Sequence, residues 1–180
     1  MNIFLPYEND IVASVESLDD VRLNKQIVET YQLLTLAIKE QQEKHEVKAG
    51  HYHHPVYVFY KDNIPFLAYY GYKCCREYKE RFDKHHKLMA YFIGRCSRLI
   101  ETTTDTNHIE IKIKEPKYQP YYMEGAKGEP NYIRTTENVS ALFQNKLCKK
   151  WEQDKAKGRM PKWTNRQVPE FYRKEMMKSE

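Results

Sequence analysis

Arg22, Lys25, Glu29 and Gln32 recur at steps of three, four and three residues, the spacing that brings side chains onto one side of an α-helix. Two cations thereby flank one carboxylate. Leu33 and Leu36 fall on the same side one and two turns further on, which puts Glu29 where a solvated face turns into a buried one. A carboxylate in that position can orient a sugar and manage its protons, and the neighbouring cations can hold phosphates. The plainer alternative is that Lys25 and Glu29, four apart, form an ordinary surface pair contributing roughly a few tenths of a kcal/mol.

A helix must carry these groups. Ser17 followed three residues later by Asp20 is a weaker form of the capping box, and helical apolar spacing runs from Leu18 to about Gln41. Leu23, Ile27, Tyr31, Leu34 and Ile38 form the opposite stripe, which is expected to be core. After a polar connection from Gln41 to Gly50, Pro55 suits the first turn of a short helix reaching about Lys61. Asn63 and Pro65 open a longer helix through Phe66, Leu67, Tyr70, Cys74, Tyr78 and Phe82. Another is expected from about Lys84 to Ile100, with Leu88, Tyr91, Phe92 and Leu99 inward.

The Thr-rich stretch from Glu101 to Asn107 ends this helical block, and His108 to Lys114 alternates Ile109, Ile111 and Ile113 with polar neighbours, as in a short strand or an extended loop. Pro116, Pro120, Gly125, Gly128 and Pro130 then mark an irregular segment long enough to cover a ligand. A last helix carries Val139, Phe143, Leu147 and Trp151, four apart, and Gly158 to Lys174, containing Pro161 and Pro169, is expected to be mostly extended. The fold class expected is mainly α: a compact single-domain helical bundle spanning residues 1–180, with an irregular segment near 101–135 and an extended basic C-terminal tail.

Composition narrows the function classes. Hydrophobic residues make up 41% and aromatics 13%, so a packed core is available. There is no apolar run of membrane-spanning length and no signal-peptide pattern, which excludes a membrane role and points to the cytoplasm, including that of a phage-infected bacterial host. The net charge of +5 is unevenly placed: residues 146–180 hold eleven Lys/Arg against five Asp/Glu, and residues 1–145 nineteen against twenty. A basic segment interleaved with Trp151, Trp163, Phe171 and Tyr172 can neutralise phosphates while its rings stack on bases. Nucleic acid is therefore the partner expected.

His51, His53, His54, His85 and His86 match no zinc spacing, and no metal or other cofactor is expected. Cys74, Cys75, Cys96 and Cys148 are too few for a disulfide scaffold and read as buried, reduced thiols. There is no Gly-rich phosphate loop and no G-x-S-x-G elbow.

Three runs, LDDVRLNKQIVETYQLL, HHPVYVFYKDNIPFLAYYGYKCCREYKERFDKHHK and KGRMPKWTNRQVPEFYRK, resemble in order three blocks of the pyrimidine-dimer DNA glycosylase (endonuclease V) family, especially its bacteriophage branch. The resemblance implies a compact helical enzyme that excises a damaged or modified pyrimidine from double-stranded DNA and can then cut the strand as an AP lyase. It implies an amine nucleophile at the N-terminus, a Schiff base at deoxyribose C1′, and a helical glutamate, here Glu29, that assists. Arg22 and Lys25 would complete the catalytic group. An α-amino group titrates near pH 8, well below an ordinary lysine, so more of it is nucleophilic at neutral pH.

Family enzymes of this type expose a small residue after Met removal, whereas Asn2 is bulky. The amine is then that of Met1 or of Lys25, or else the lyase step is absent. The DNA-contacting set implied is His54, Lys149, Lys150, Arg159, Lys162, Trp163, Arg166, Tyr172 and Arg173. The competing expectation is an inactive family member, such as a phage accessory factor, that binds or sequesters nucleic acid or a nucleotide-like ligand.

Overall fold

In the computed structural model, which describes residues 2–43, 53–96, 100–105, 108–114, 116, 122–123, 132–133 and 139–177, the chain is mainly helical. The N-terminal stretch, buried over residues 2–6, ends at Asp10, whose carboxylate accepts the Ala13 N–H at 2.8 Å and caps α1 (Ile11–Glu16). The long helix α2 (Asp20–Glu43) follows directly. Ser17 belongs to the preceding turn and not to the start of α2: it is the C-cap of α1, and its hydroxyl donates to the Ser14 carbonyl at 2.7 Å. Along α2, Leu23, Ile27 and Leu34 are fully buried while Tyr31 and Ile38 pack at the edge of the core, as the stripe requires.

Helix α3 (Pro55–Tyr60) opens on Pro55, and α4 (Ile64–Phe82) on Asn63 with Pro65 in its first turn. Asp83, at φ 49°, stops α4. Helix α5 (Met89–Arg95) is shorter than its apolar spacing suggests. His86 offers Nδ1 to the Leu88 N–H at 3.2 Å, and this local bond competes with helical pairing just before α5. Beyond α5 the Thr-rich run forms β1 (Ile100–Asp105), which pairs antiparallel with β2 (His108–Ile113) in the register Ile100↔Ile113 to Asp105↔His108. The alternating segment thus has the partner that a lone strand lacks. A two-residue pairing joins β3 (Tyr122–Met123) to β4 (Tyr132–Ile133). Much of the irregular segment near 101–135 lies outside the described residues.

The C-terminal part holds α6 (Val139–Lys155) and α7 (Glu170–Met177). Helix α7 replaces part of the expected extended tail: the Pro169 carbonyl accepts the N–H groups of Tyr172 and Arg173, both at 3.0 Å, so this proline opens a helix.

Helix α2 packs along α4, which also receives α1 and α5, while α7 packs on α6. The approach of α5 is close because Gly71 has no Cβ; one placed there would stand 2.1 Å from the Phe92 ring. The N-terminal segment is held on its other side by α6, where Ser140 Oγ accepts the Glu8 N–H at 2.8 Å and Gln144 donates to the Pro6 carbonyl at 2.9 Å. Cys74, Cys75, Cys96 and Cys148 are buried free thiols; burial pushes those of Cys75 and Cys96 up to about 12. No helix among the described residues is long and apolar enough to cross a membrane.

Candidate active site

Gln26 stands one turn before Glu29 on α2, at the seam between the core stripe and the polar face, and is 1% exposed. Its amide satisfies both of its ends. Oε1 accepts the Phe4 N–H at 3.1 Å and lies 2.9 Å from the Tyr70 hydroxyl; Nε2 donates to the Asn2 carbonyl at 2.7 Å and to Glu29 Oε2 at 3.3 Å. The Tyr70 hydroxyl also lies 3.0 Å from the Phe4 carbonyl, and burial holds its pKa well above the ordinary tyrosine value, so it remains a donor. Donors surround Oε1 and acceptors surround Nε2, which sets the orientation of the amide. One side chain thus ties the backbone at Asn2 and Phe4 to the Glu29 carboxylate. Neither Gln26 nor Tyr70 stands out in the sequence as a site residue: a glutamine among charged residues has the signature of a surface position, and Tyr70 that of core.

Glu29 has a side chain 13% exposed, and its other oxygen faces Lys25 Nζ at 3.7 Å, with Lys25 itself largely in solvent. Arg22 lies on the same face but is engaged by two carboxylates: Nη1 reaches both oxygens of Asp19 at 3.2 and 3.1 Å, and Nη2 meets Asp154 of α6 at 2.6 Å. Asp19 also accepts the Trp151 indole N–H at 2.8 Å, and Asp154 pairs with Arg159 at 2.6 Å. The Arg22 hydrogen bond holds Asp154 below its ordinary carboxylate range.

Between α2, the N-terminal segment and the end of α6 lies a cleft of ≈ 280 Å³, lined among others by Asn2, Arg22, Lys25, Gln26, Glu29, Lys150, Asp154 and Arg159. Lys150 is half-buried there, and burial lowers its pKa, helped by the charges of Lys25 and Arg22 and opposed by Glu29 and Asp154. The structure therefore gathers Glu29, Arg22, Lys25, Lys150 and Arg159 around one opening. Met1 lies outside the described residues. Gln32, grouped with Arg22, Lys25 and Glu29 by its spacing, is exposed on α2 and does not line the cleft.

The remaining sequence-predicted residues separate from this group. His54 is the N-cap of α3, with Nδ1 accepting the Val56 N–H at 3.2 Å. Lys149, Lys162 and Arg173 are exposed. Trp151 and Tyr172 are buried, which corrects the expectation that these rings stand free to stack on bases. Trp151 stacks on Phe171 at 5.8 Å and meets Trp163 edge-on at 5.1 Å, and the Tyr172 hydroxyl donates to Glu152 at 2.8 Å. Trp163 donates its indole N–H to the Ser17 carbonyl at 2.9 Å. Aromatic residues interleaved with charge read alike as a stacking surface or as packing, and only the tertiary fold separates the two.

Arg166 is likewise a structural ligand, with Nε and Nη2 each 2.8 Å from a different oxygen of Glu77, the geometry of a bidentate pair. Glu77 also binds the fully buried Arg81 at 2.7 Å, and Arg81 in turn reaches the Leu18 carbonyl at 2.7 Å, the Glu16 carbonyl at 2.9 Å and Asp20 at 3.0 Å. Asp20 accepts from the backbone and hydroxyl of Thr164, at 3.1 and 2.7 Å. The C-terminal segment is in this way fastened across the α1–α2 corner. Among the described residues, no three His, Cys, Asp or Glu side chains are grouped to hold a metal ion.

Comparison with protein families matches residues 1–90, the stretch that carries Glu29 and Gln26, to the family described as pyrimidine dimer DNA glycosylase. No curated protein and no solved structure matches the chain. Helix α6, which supplies Lys150 and Asp154, lies beyond the matched stretch.

Proposed function

The chain belongs to the pyrimidine dimer DNA glycosylase family, and from that premise we propose that its Glu29 cleft breaks the base–sugar bond of a damaged or modified pyrimidine in double-stranded DNA. The observation that carries this reading is the Gln26 amide, which links the Asn2 carbonyl and the Glu29 carboxylate through one nitrogen, at 2.7 and 3.3 Å. An amine borne on the residue preceding Asn2 would work beside that carboxylate. The nucleophile assigned here is accordingly the α-amine of Met1, whose ordinary pKa near 8 leaves a substantial neutral fraction at physiological pH.

The amine nitrogen bonds to C1′ as the glycosidic bond breaks, and the base leaves with the electron pair. Glu29 stabilises positive charge developing on the sugar and accepts a proton from the attacking nitrogen. The sugar ring then opens, the C1′–O4′ bond breaking as O4′ takes up a proton, and the nitrogen lone pair forms the iminium at C1′; this acidifies the C2′ proton, whose removal with departure of the 3′ phosphate oxygen gives strand cleavage by β-elimination, the AP-lyase step of the proposal.

Lys25, Lys150 and Arg159 line the cleft, and together with the exposed Lys149 and Lys162 they supply phosphate contacts, each adding to the salt dependence of binding. Arg22 acts by fixing α2 to α6 through Asp154. Extruding the target nucleotide costs roughly a few kcal/mol, least where a lesion has already weakened stacking.

The test is borohydride trapping on duplex DNA carrying a pyrimidine dimer. A covalent adduct is expected, lost when the N-terminal amine is acetylated and strongly reduced by Glu29→Gln. A folded parent that yields neither adduct nor an alkali-labile abasic site, and whose affinity for this DNA is unchanged by Glu29→Gln, would instead be an inactive binder.

A further inference from the structure

Lys150 stands apart from the other cations of the Glu29 cleft in having no carboxylate of its own. Four cations line that opening, Arg22, Lys25, Lys150 and Arg159. Arg22 is held by Asp19 and Asp154, Lys25 by Glu29, and Arg159 by Asp154. Both Asp154 oxygens are taken, Oδ1 by Arg159 and Oδ2 by Arg22, each at 2.6 Å, so the acid one turn on from Lys150 along α6 is not open to it. Among the described residues the Lys150 ammonium has no hydrogen bond or ion pair. Yet it is not a loose surface lysine: it is half-buried, and its place on α6 is fixed by the neighbouring Trp151, which is buried and donates its indole N–H to Asp19 at 2.8 Å. A half-buried amine without a counter-ion gives up its proton more easily than an ordinary lysine. Burial lowers its pKa first, then the charges of Lys25 and Arg22, with Glu29 and Asp154 opposing.

We propose that Lys150 is the acid–base group of the strand-cutting step: its ammonium gives O4′ the proton that opens the sugar, and the amine left behind removes the C2′ proton. This rests on the glycosylase reading, in which Glu29 is already occupied with the proton of the attacking nitrogen and a second group has to serve O4′ and C2′. As the C1′–O4′ bond breaks, O4′ takes the ammonium proton and the lone pair of the attached nitrogen makes the iminium. The neutral Lys150 amine then takes the C2′ proton, and the C2′–H electron pair becomes the C1′=C2′ bond of an enamine. The enamine expels the 3′ phosphate with its bonding pair as C2′=C3′ forms and the iminium returns. Lys150 ends as an ammonium, so no outside acid or base is consumed. Before the sugar opens, the same ammonium can hold a phosphate as an arginine would; what an arginine lacks is a proton it can release near neutral pH. The remaining charged groups of the cleft are engaged elsewhere, Asp19 by Arg22 and Trp151 and Arg159 by Asp154.

The experiment uses duplex DNA carrying a pyrimidine dimer and, alongside it, duplex DNA carrying a preformed abasic site, in single turnovers with all the DNA bound, and compares the parent with Lys150→Arg and Lys150→Gln. Breaks present without alkali measure strand cutting, and the further breaks revealed by alkali measure base–sugar cleavage alone. On the dimer, the ratio of direct to alkali-revealed breaks should fall about 10²-fold in both variants. On the abasic DNA, direct cutting corrected for the uncatalysed rate should slow by the same factor. In Lys150→Arg the alkaline fall of the parent's pH–rate profile, set by loss of the Lys150 ammonium, should vanish. A Lys150→Arg protein that keeps either the parent's ratio or its alkaline fall overturns the relay, because a phosphate contact alone tolerates arginine. An equal loss of both kinds of break overturns it too, being the mark of a binding or packing role. If the parent leaves no alkali-labile site in the dimer DNA, the glycosylase reading fails. The abasic DNA then decides the relay alone: cutting slowed in both variants sustains it, and cutting that is absent from the parent or unchanged in the variants overturns it.

Discussion

Replacing Gln26 by leucine removes an amide of nearly the same size, takes the side-chain acceptor from the buried Phe4 N–H and takes one donor from the Asn2 carbonyl. Tyr70 keeps the Phe4 carbonyl at 3.0 Å and Glu29 keeps Lys25 at 3.7 Å. Each hydrogen bond lost to a buried backbone group costs roughly 1–3 kcal/mol, partly offset by about 1 kcal/mol from burying aliphatic atoms in place of an amide, which gives a net loss of about 3 kcal/mol. Domains of this kind have a stability of roughly 5–15 kcal/mol, so Gln26→Leu should still fold, with a urea midpoint lowered by about 1–2 M. The catalytic effect should exceed the stability effect. If the segment bearing Asn2 relaxes by about 1 Å from Glu29, the loss can reach about 10²-fold, because attack depends on near-contact geometry. Urea denaturation and single-turnover trapping on the dimer-containing duplex measure the two effects separately. Gln26→Glu retains the acceptor for Phe4 but opposes oxygen to oxygen at both Asn2 and Glu29, so it should be the worse of the two in trapping. A Gln26→Leu protein with the parent's midpoint and trapping rate would refute the role assigned to this amide.

Gly71→Ala should destabilise despite the better helix propensity of alanine, since a Cβ 2.1 Å from the Phe92 ring forces repacking that costs about 1–3 kcal/mol against about 1 kcal/mol gained; thermal melts should show the loss, and Phe92→Leu in the same chain should recover part of it. Asp154→Asn tests the α2–α6 tie. The folded-state pKa of Asp154 is depressed by Arg22, so its contribution is present above the unfolded value, near 3.8, and disappears as pH falls through the folded one. The gap in urea midpoint between parent and variant should accordingly be full at neutral pH and close in strongly acidic buffer; a gap independent of pH would contradict the ion-pair explanation. Lys150→Met should raise the midpoint, because burial and like charges disfavour the ammonium, yet weaken DNA binding and flatten the salt dependence by about 0.9 in log–log slope. An unchanged slope would remove Lys150 from the phosphate contacts.

The helical face of Arg22, Lys25 and Glu29 is legible in the sequence because it depends on one local rule, the number of residues per turn, and the opposite stripe of Leu23, Ile27 and Leu34 agrees with it by burial. What the cations do is not legible. Arg22 depends on Asp154, 132 residues away, and Arg166 on Glu77, 89 residues away, and no periodicity announces pairs of that separation. Helix α1 is hidden for a different reason: six residues are too few for a pattern, and it is held by the Asp10 cap and by Arg81 on the Glu16 carbonyl. Tyr172 and Trp151 show the opposite failure, since composition describes them correctly as aromatic groups in a basic segment but cannot tell which way the rings face. The hairpin β1–β2 is half visible: the alternation in His108–Ile113 is plain, whereas its Thr-rich partner lacks any alternation of its own.

The uneven charge of residues 146–180 also changes meaning once the pairs are known. Lys155 meets Glu152 at 3.1 Å, Lys174 meets Glu170 at 2.7 Å, Arg159 meets Asp154 and Arg166 meets Glu77, so several of the eleven cations are partnered within the fold. Arg166 and its neighbours Trp163 and Thr164 close the corner between α1 and α2. That corner is where α2 begins, and Lys25, Gln26 and Glu29 lie within its next turns. Fastening the C-terminal segment there fixes the direction in which α2 enters the cleft. The same segment, between Asp154 and Asp20, carries Arg159, Met160 and Pro161 along the cleft mouth. A basic tail free in solution would attract DNA equally well but would have to be ordered on binding, at an entropic cost. Tied down at both ends, it sets its charges at fixed distances from Glu29, so little of it has to be ordered when an anionic partner arrives.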